Sequence, residues 1–153
     1  MRYFEELEVG EETLFKGEYL ATEEEIIETA NRFDAQPFHT DPVAAEKSFF
    51  GGLVACSAHT FAMWSALGNN SEIDKDKLIG GAVSALGFNN LQWHNPVRPG
   101  DVLKRKQVIL ELRDSKSKPH LGIIRSADTV YNQNSETVFT LEIASLHEKT
   151  AST

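Results

Sequence analysis

Apolar residues recur at helical spacing between Thr22 and Phe33. Ile26, Ile27, Ala30 and Phe33 fall on one stripe, and Thr22 with Glu25 makes the T-x-x-E pattern of a capping box, so this stretch predicts a short amphipathic helix. Ahead of it, MRYFEELEVGEE carries a turn signal at Gly10, and TLFKGEYLAT alternates loosely enough to be a first strand. Behind it, DPVAAEKS places Asp before Pro and then good helix formers, which makes Asp41 an N-cap and Pro42 the first helical position. In FFGGLVACSAHTFAMWSALGNN, Gly51 and Gly52 precede a long segment, apolar on nearly every face, that ends at Gly68 and Asn69. A helix of that kind is one that other elements wrap.

The wrapping comes from the second half of the chain. Segments near 82–94, 102–113, 120–132 and 136–147 are rich in Val, Ile, Leu, Phe and Thr, and NPVRPGD, RDSKSKP and NQNSE separate them. One long helix followed by four consecutive strands argues for an α+β fold with an antiparallel sheet, not a repeated βαβ unit. No internal repeat, linker or low-complexity tract interrupts the pattern, so residues 1–153 read as one domain.

Composition narrows the classes of function. Asp and Glu outnumber Lys and Arg by 23 to 15, and no basic cluster is dense enough to track a phosphate backbone, so nucleic acid is excluded as a partner. A phosphorylated small molecule is still compatible, with Arg98, Lys104, Arg105, Lys116 and Lys118 as the candidate cations, although each taken singly reads as surface or strand-edge charge. The single cysteine, Cys56, rules out an internal disulfide framework, and no basic-plus-apolar leader opens the chain. No apolar run approaches the roughly 18 residues that span a bilayer. A cytoplasmic location without membrane insertion is the expectation.

Candidate chemistry concentrates in FDAQPFH, where Asp34 and His39 bracket Pro37. Proline removes a backbone donor, fixes its own φ and turns Gln36 away from helical dihedrals, so the segment is a kinked loop able to aim both side chains into one cavity. A carboxylate beside an imidazole can hold a water and move its protons. The competing account makes Asp34 a helix end and His39 a hydrogen-bonded structural histidine. Asp41 is fully explained by capping, whereas Asp34 has no such local explanation. Cys56 and His59 lie three apart and share a helix face, which suits zinc or a thiol nucleophile. Further Cys or His at ligand spacing is missing, which leaves His39 as the remaining third ligand for a catalytic zinc. The metal-free reading fits better, with Cys56 as a small buried hydrophobe.

Several segments carry a family resemblance. FDAQPFHTDPVAAEKSFFGGLVA is similar to the signature of the MaoC-like and R-specific enoyl-CoA hydratases, in which D-x-N-P-x-H-x-D leads to a Phe-Gly-Gly entry into the central helix. LQWHNPVRPGDVL resembles that family's later strand and Pro-Val-x-Pro-Gly-Asp turn, and SKSKPHLGIIRSADTVYNQNSETVF its closing hairpin. Gln36 replaces the Asn, Phe33 stands where Gly is frequent, and Ala55-Cys56-Ser57 replaces A-H-G.

The resemblance implies a hot-dog fold, a curled antiparallel sheet around one helix, assembled at least as a homodimer with sheets joined edge to edge. It implies that Asp34 and His39 activate water, and that the backbone N–H of Ser57 meets charge developing on a thioester carbonyl. It also places Gly52, Cys56, His59 and Ser65 near the substrate. Packing against the sheet accounts for Ser65 equally well, and a core role for His59. The implied reaction is reversible hydration of a trans-2-enoyl thioester to an R-3-hydroxyacyl thioester. Coenzyme A or an acyl carrier protein would be the carrier, coenzyme A entering as part of the substrate, with no metal, flavin or nicotinamide. The rivals are a hot-dog thioesterase, which the paired Asp34 and His39 do not favour, and a non-catalytic acyl-binding protein, which the altered Cys56-Ser57 segment does.

Overall fold

The sequence places four long β-rich segments one after another, and antiparallel pairing of neighbours is the shortest way to satisfy their backbone groups. In the computed structural model, which describes residues 1–69 and 72–150, two short strands, β1 (Glu12–Leu14) and β2 (Tyr19–Leu20), come first. The four long ones follow as β3 (Ala82–Trp93), β4 (Val102–Asp114), β5 (Leu121–Tyr131) and β6 (Thr137–Glu148). They form one six-stranded sheet in the order β1-β4-β5-β6-β3, with β2 also on β4 and every pairing antiparallel. The α+β hot-dog architecture is thus the one the chain adopts.

The first strand departs from expectation because it breaks in two. The Asp74 carboxylate accepts the N–H groups of Lys16 and Gly17, each at 2.7 Å, so these two residues turn away from β4. Asp74 is itself buried in the short helical segment Glu72–Lys77.

Four helices lie on the sheet side or precede it: α1 (Glu23–Phe33), α2 (Pro37–Thr40), α3 (Pro42–Glu46) and α4 (Ser57–Asn69). Thr22 Oγ1 accepts the Glu25 N–H at 3.2 Å, and Ile26 and Ala30 are buried. Phe33 leaves the predicted stripe: it is 66% exposed, with the Arg32 guanidinium over its ring. Asp41 caps α3 through Val43 and Ala44, and Pro42 opens that helix. The central helix starts later than the apolar run suggests. Residues 53–56 stay outside the helix, because the Val54 N–H bonds to the Phe38 carbonyl and the Ala55 N–H to the Val97 carbonyl.

Helix α4 is wrapped on one side. Met63, Trp64 and Leu67 enter a core with Leu103, Val130, Phe139 and Leu141, whereas Ala58 and Ala62 face outward. Its low amphipathicity in sequence therefore hid a covered and an open face.

One polar cluster anchors the helix. Arg105 on β4 pairs with Asp128 on β5 at 2.6 Å, and the Asp128 carboxylate also accepts Trp64 Nε1–H at 2.7 Å. Burial pulls the Arg105 pKa down from its usual value, and the adjacent Asp128 opposes that shift. The guanidinium faces the Phe15 and Trp64 rings and donates to the Trp64 carbonyl. It also lies against Gly68, where an added Cβ would sit 1.6 Å from Arg105 Nη1. Arg105 is consequently no candidate for binding an external phosphate, since its charge is spent inside.

Two expectations follow from this packing. Gly68→Ala gains helix propensity worth about 1 kcal/mol, yet forces the guanidinium off its carboxylate, so net destabilisation of about 1–3 kcal/mol is expected in urea denaturation. His147 donates from Nδ1 to the Gly80 carbonyl and accepts from Ser145 at Nε2, and burial holds its pKa below the ordinary 6.5. The unfolded chain therefore binds the proton more readily, so stability is complete above about pH 6.5 and declines as pH falls toward the lower native value. His147→Gln should flatten that stretch of a stability-against-pH curve.

Candidate active site

Helix α1 ends at Phe33, and Asp34 closes it with its N–H on the Ala30 carbonyl at 2.8 Å. Gln36 is extended at φ −65° and ψ 143°, as a residue before proline must be, and Pro37 then opens the single turn of α2. That turn carries His39 back toward the end of α1. The structure thus makes Asp34 a helix end and also brings it to the histidine.

His39 is buried, with 6% of its surface exposed. Its Nδ1 lies 2.7 Å from the Val54 carbonyl, an acceptor only, so Nδ1 carries a proton and donates. The orientation of the ring is fixed further by the edge of Phe38, with centroids 4.3 Å apart. Nε2 is left facing Asp34 Oδ2 at 3.5 Å. That separation is too long for a direct hydrogen bond, and it suits a third atom bonded to both groups.

Asp34 and His39 open on a cavity of about 400 Å³, lined also by Ser57 and Thr60 on α4, by Phe38, Phe50, Val54 and Ala55, and by the stretch from Trp93 to Val97. Ser57 is the first residue of α4, where N–H groups have no partner within the helix and the macrodipole favours negative charge.

The other four residues marked out from sequence stand elsewhere. Cys56 is fully buried just before the helix. Gly52 lies outside the wall, where an added Cβ would meet Arg98 Nη1 at 3.3 Å. Ser65, two turns beyond Ser57, is not part of the cavity wall and accepts from Asn69 at 3.4 Å. His59 turns toward α1, where Nε2 bonds to Glu25 Oε1 at 3.1 Å. The same carboxylate accepts the Tyr19 hydroxyl, and burial together with Glu25 holds that phenol well above its usual pKa. Glu25 is therefore diverted from the reciprocal half of the capping box. Among the described residues, no group of three or more His, Cys, Asp or Glu is arranged to hold a metal ion, and no helix is long and apolar enough to cross a membrane.

Thr60, Trp93, His94 and Asn95 are lining residues that sequence reasoning did not assign to the site. Thr60 had a signal, since it stands one turn beyond Ser57. Trp93 and His94 had none, because their approach depends on how β3 ends against β6: the His94 N–H bonds to the Val138 carbonyl, and Thr140 Oγ1 lies 2.8 Å from His94 Nε2.

Known proteins share both sequence and architecture with this chain. Uncharacterized protein YdeM of Bacillus subtilis (strain 168) is 30% identical over 144 residues, which is 93% of this chain and 96% of that protein. A MaoC-like dehydratase from Rhodospirillum rubrum, known from its crystal structure, superposes with a TM-score of 0.84 at 30% identity, covering 97% of each chain. The unliganded R-hydratase PhaJ1 of Pseudomonas aeruginosa shares the fold at a TM-score of 0.72 and 24% identity, over 96% of this chain and 86% of that one. The MaoC like domain profile matches residues 5–131. On that match and this architecture, the chain belongs to the MaoC-like domain family.

Proposed function

We propose that this protein is a hydro-lyase that reversibly adds water across the double bond of a trans-2-enoyl thioester, giving an R-3-hydroxyacyl thioester on coenzyme A or an acyl carrier protein. The observation that carries the reading is the convergence of Asp34 Oδ2 and His39 Nε2, 3.5 Å apart, on a cavity that also holds the first residue of α4. The family, and the R-hydratase activity named for a protein of the same fold, support it.

In this mechanism a water sits between the Asp34 carboxylate and His39 Nε2. Asp34 accepts one proton as the water oxygen bonds to C3, and the π electrons of the double bond move toward the carbonyl. The Ser57 N–H and the dipole of α4 hold the resulting enolate-like oxygen. A proton delivered to C2 through the same pair completes the product, so the water has given its hydroxide to C3 and its proton to C2. The Val54 carbonyl keeps Nδ1 protonated throughout, which reserves Nε2 for the transfer. The R configuration follows the family resemblance.

A homodimer fits the surface. Among the described residues β3 has a strand partner on one side only, and it exposes Val83, Leu86, Phe88 and Trp93. An open, apolar edge strand of this length needs a mate.

With trans-2-enoyl-CoAs, the conjugated thioester absorbance should fall with wild type, and Asp34→Asn or His39→Ala should slow it about 100- to 10,000-fold. Ser57→Pro removes only one N–H at a helix position that tolerates proline, and kcat should fall about 100- to 1,000-fold with helicity intact. Release of free thiol in place of hydration would make the protein a thioesterase, and the reading would fail. In light scattering the chain should run at twice its own mass, with Val83→Lys plus Leu86→Lys shifting it toward the monomer.

A further inference from the structure

A second cavity, of about 370 Å³, lies at the other end of α4, and among the described residues none lines both. Aromatic rings stand between them. Trp93, in the wall of the first cavity, meets Phe139 at 5.0 Å, and Phe139 meets Phe61 at 6.2 Å. Phe61 meets Trp64 at 5.2 Å, and Trp64 lines the second cavity. Phe88 closes the group from β3, with its centroid 5.3 Å from Phe61 and 5.8 Å from Trp64. The wall has fixed points: Phe139 is fully buried, and Trp64 is held through Nε1 by Asp128.

The chamber behind the rings is mixed in character, with Phe15, Ile79, Ile124 and Ile143 among its apolar lining. Gln107, Ser126, Ser145 and His147 line it from the sheet, beside the guanidinium of Arg105. These polar groups are already bonded inside the protein, Arg105 to Asp128, Gln107 to Ser126, and His147 to Ser145 and the Gly80 carbonyl, so the barrier to an alkyl tail is the ring array itself.

We propose that Phe61, Phe139, Trp64 and Trp93 form the end wall of the reaction cavity and confine its substrates to short-chain acyl thioesters. The inference rests on the hydratase reading for its thioester ligand, and adds the length at which the acyl group must stop. Phe61 is the specificity-determining residue, because among these rings it is the one that follows Thr60 of the first cavity on α4 and meets both Phe139 and Trp64.

The test is calorimetric binding of saturated acyl-pantetheines, from butanoyl through hexanoyl and octanoyl to decanoyl and dodecanoyl. Saturated chains have no double bond to hydrate, and pantetheine is common to coenzyme A and acyl carrier protein. Each methylene that enters an apolar tunnel should tighten binding about fourfold. Wild type is expected to gain over the shortest members and then level off or weaken, whereas Phe61→Ala should extend the rise to longer chains. Phe61→Leu is read the same way should the alanine variant not fold. Affinity that climbs steadily to dodecanoyl in wild type, or a profile unchanged in a folded Phe61 variant, would overturn the wall and leave the hydratase reading standing. No binding by any member would sink both.

Discussion

The seating of α4 inside the curled sheet is the constraint on which the site depends, and two polar contacts set it. At the far end, Arg105 and Asp128 are removed from water together, with Trp64 Nε1–H donating to the same carboxylate oxygen that the guanidinium meets. Breaking such a pair by removing one partner typically costs about 3–5 kcal/mol, because the survivor is left buried and charged. At the near end, His59 in the first turn of α4 bonds to Glu25 in the first turn of α1. Helix α1 carries Asp34 at its other end, so the distance from Asp34 to Ser57 is set by how these two helices are joined.

The non-helical stretch 53–56 is the second determinant. It receives Phe38 through the Val54 N–H, holds His39 through the Val54 carbonyl and joins the Val97 turn through the Ala55 N–H. Had the helix begun directly after Gly52, the Val54 carbonyl would have been spent on the helix ladder and His39 would have lost its acceptor. Local apolar character favoured helix there, and lateral backbone bonding overrode it.

What could be read from the sequence was what local rules govern. The four long strands declared themselves through β-rich runs between turn-forming separators, Asp41 through its position before Pro42, and the Asp34 and His39 pair through the kink at Pro37. Contacts set by the three-dimensional path were out of reach. Glu25 sat in a pattern that assigned its carboxylate to Thr22, yet it bonds to His59, thirty-four residues away. Arg105 resembled a strand-edge cation until the β4–β5 register, with Gln107 opposite Asp128, placed it diagonally across from its partner. Ser65 had the spacing of a lining residue, yet it stands outside the wall, bonded to Asn69.

The hydrogen bond from His39 Nδ1 ends on main chain, not on a side chain. No single substitution at Val54 deletes a carbonyl, so the imidazole's tautomer is inherited with the path of the backbone and is insulated from drift in side-chain identity. The rings and hydroxyls around the cavity have no such protection. A lineage built on this scaffold is therefore free to retune what enters the cavity, one residue at a time, while the proton-moving pair stays as it was.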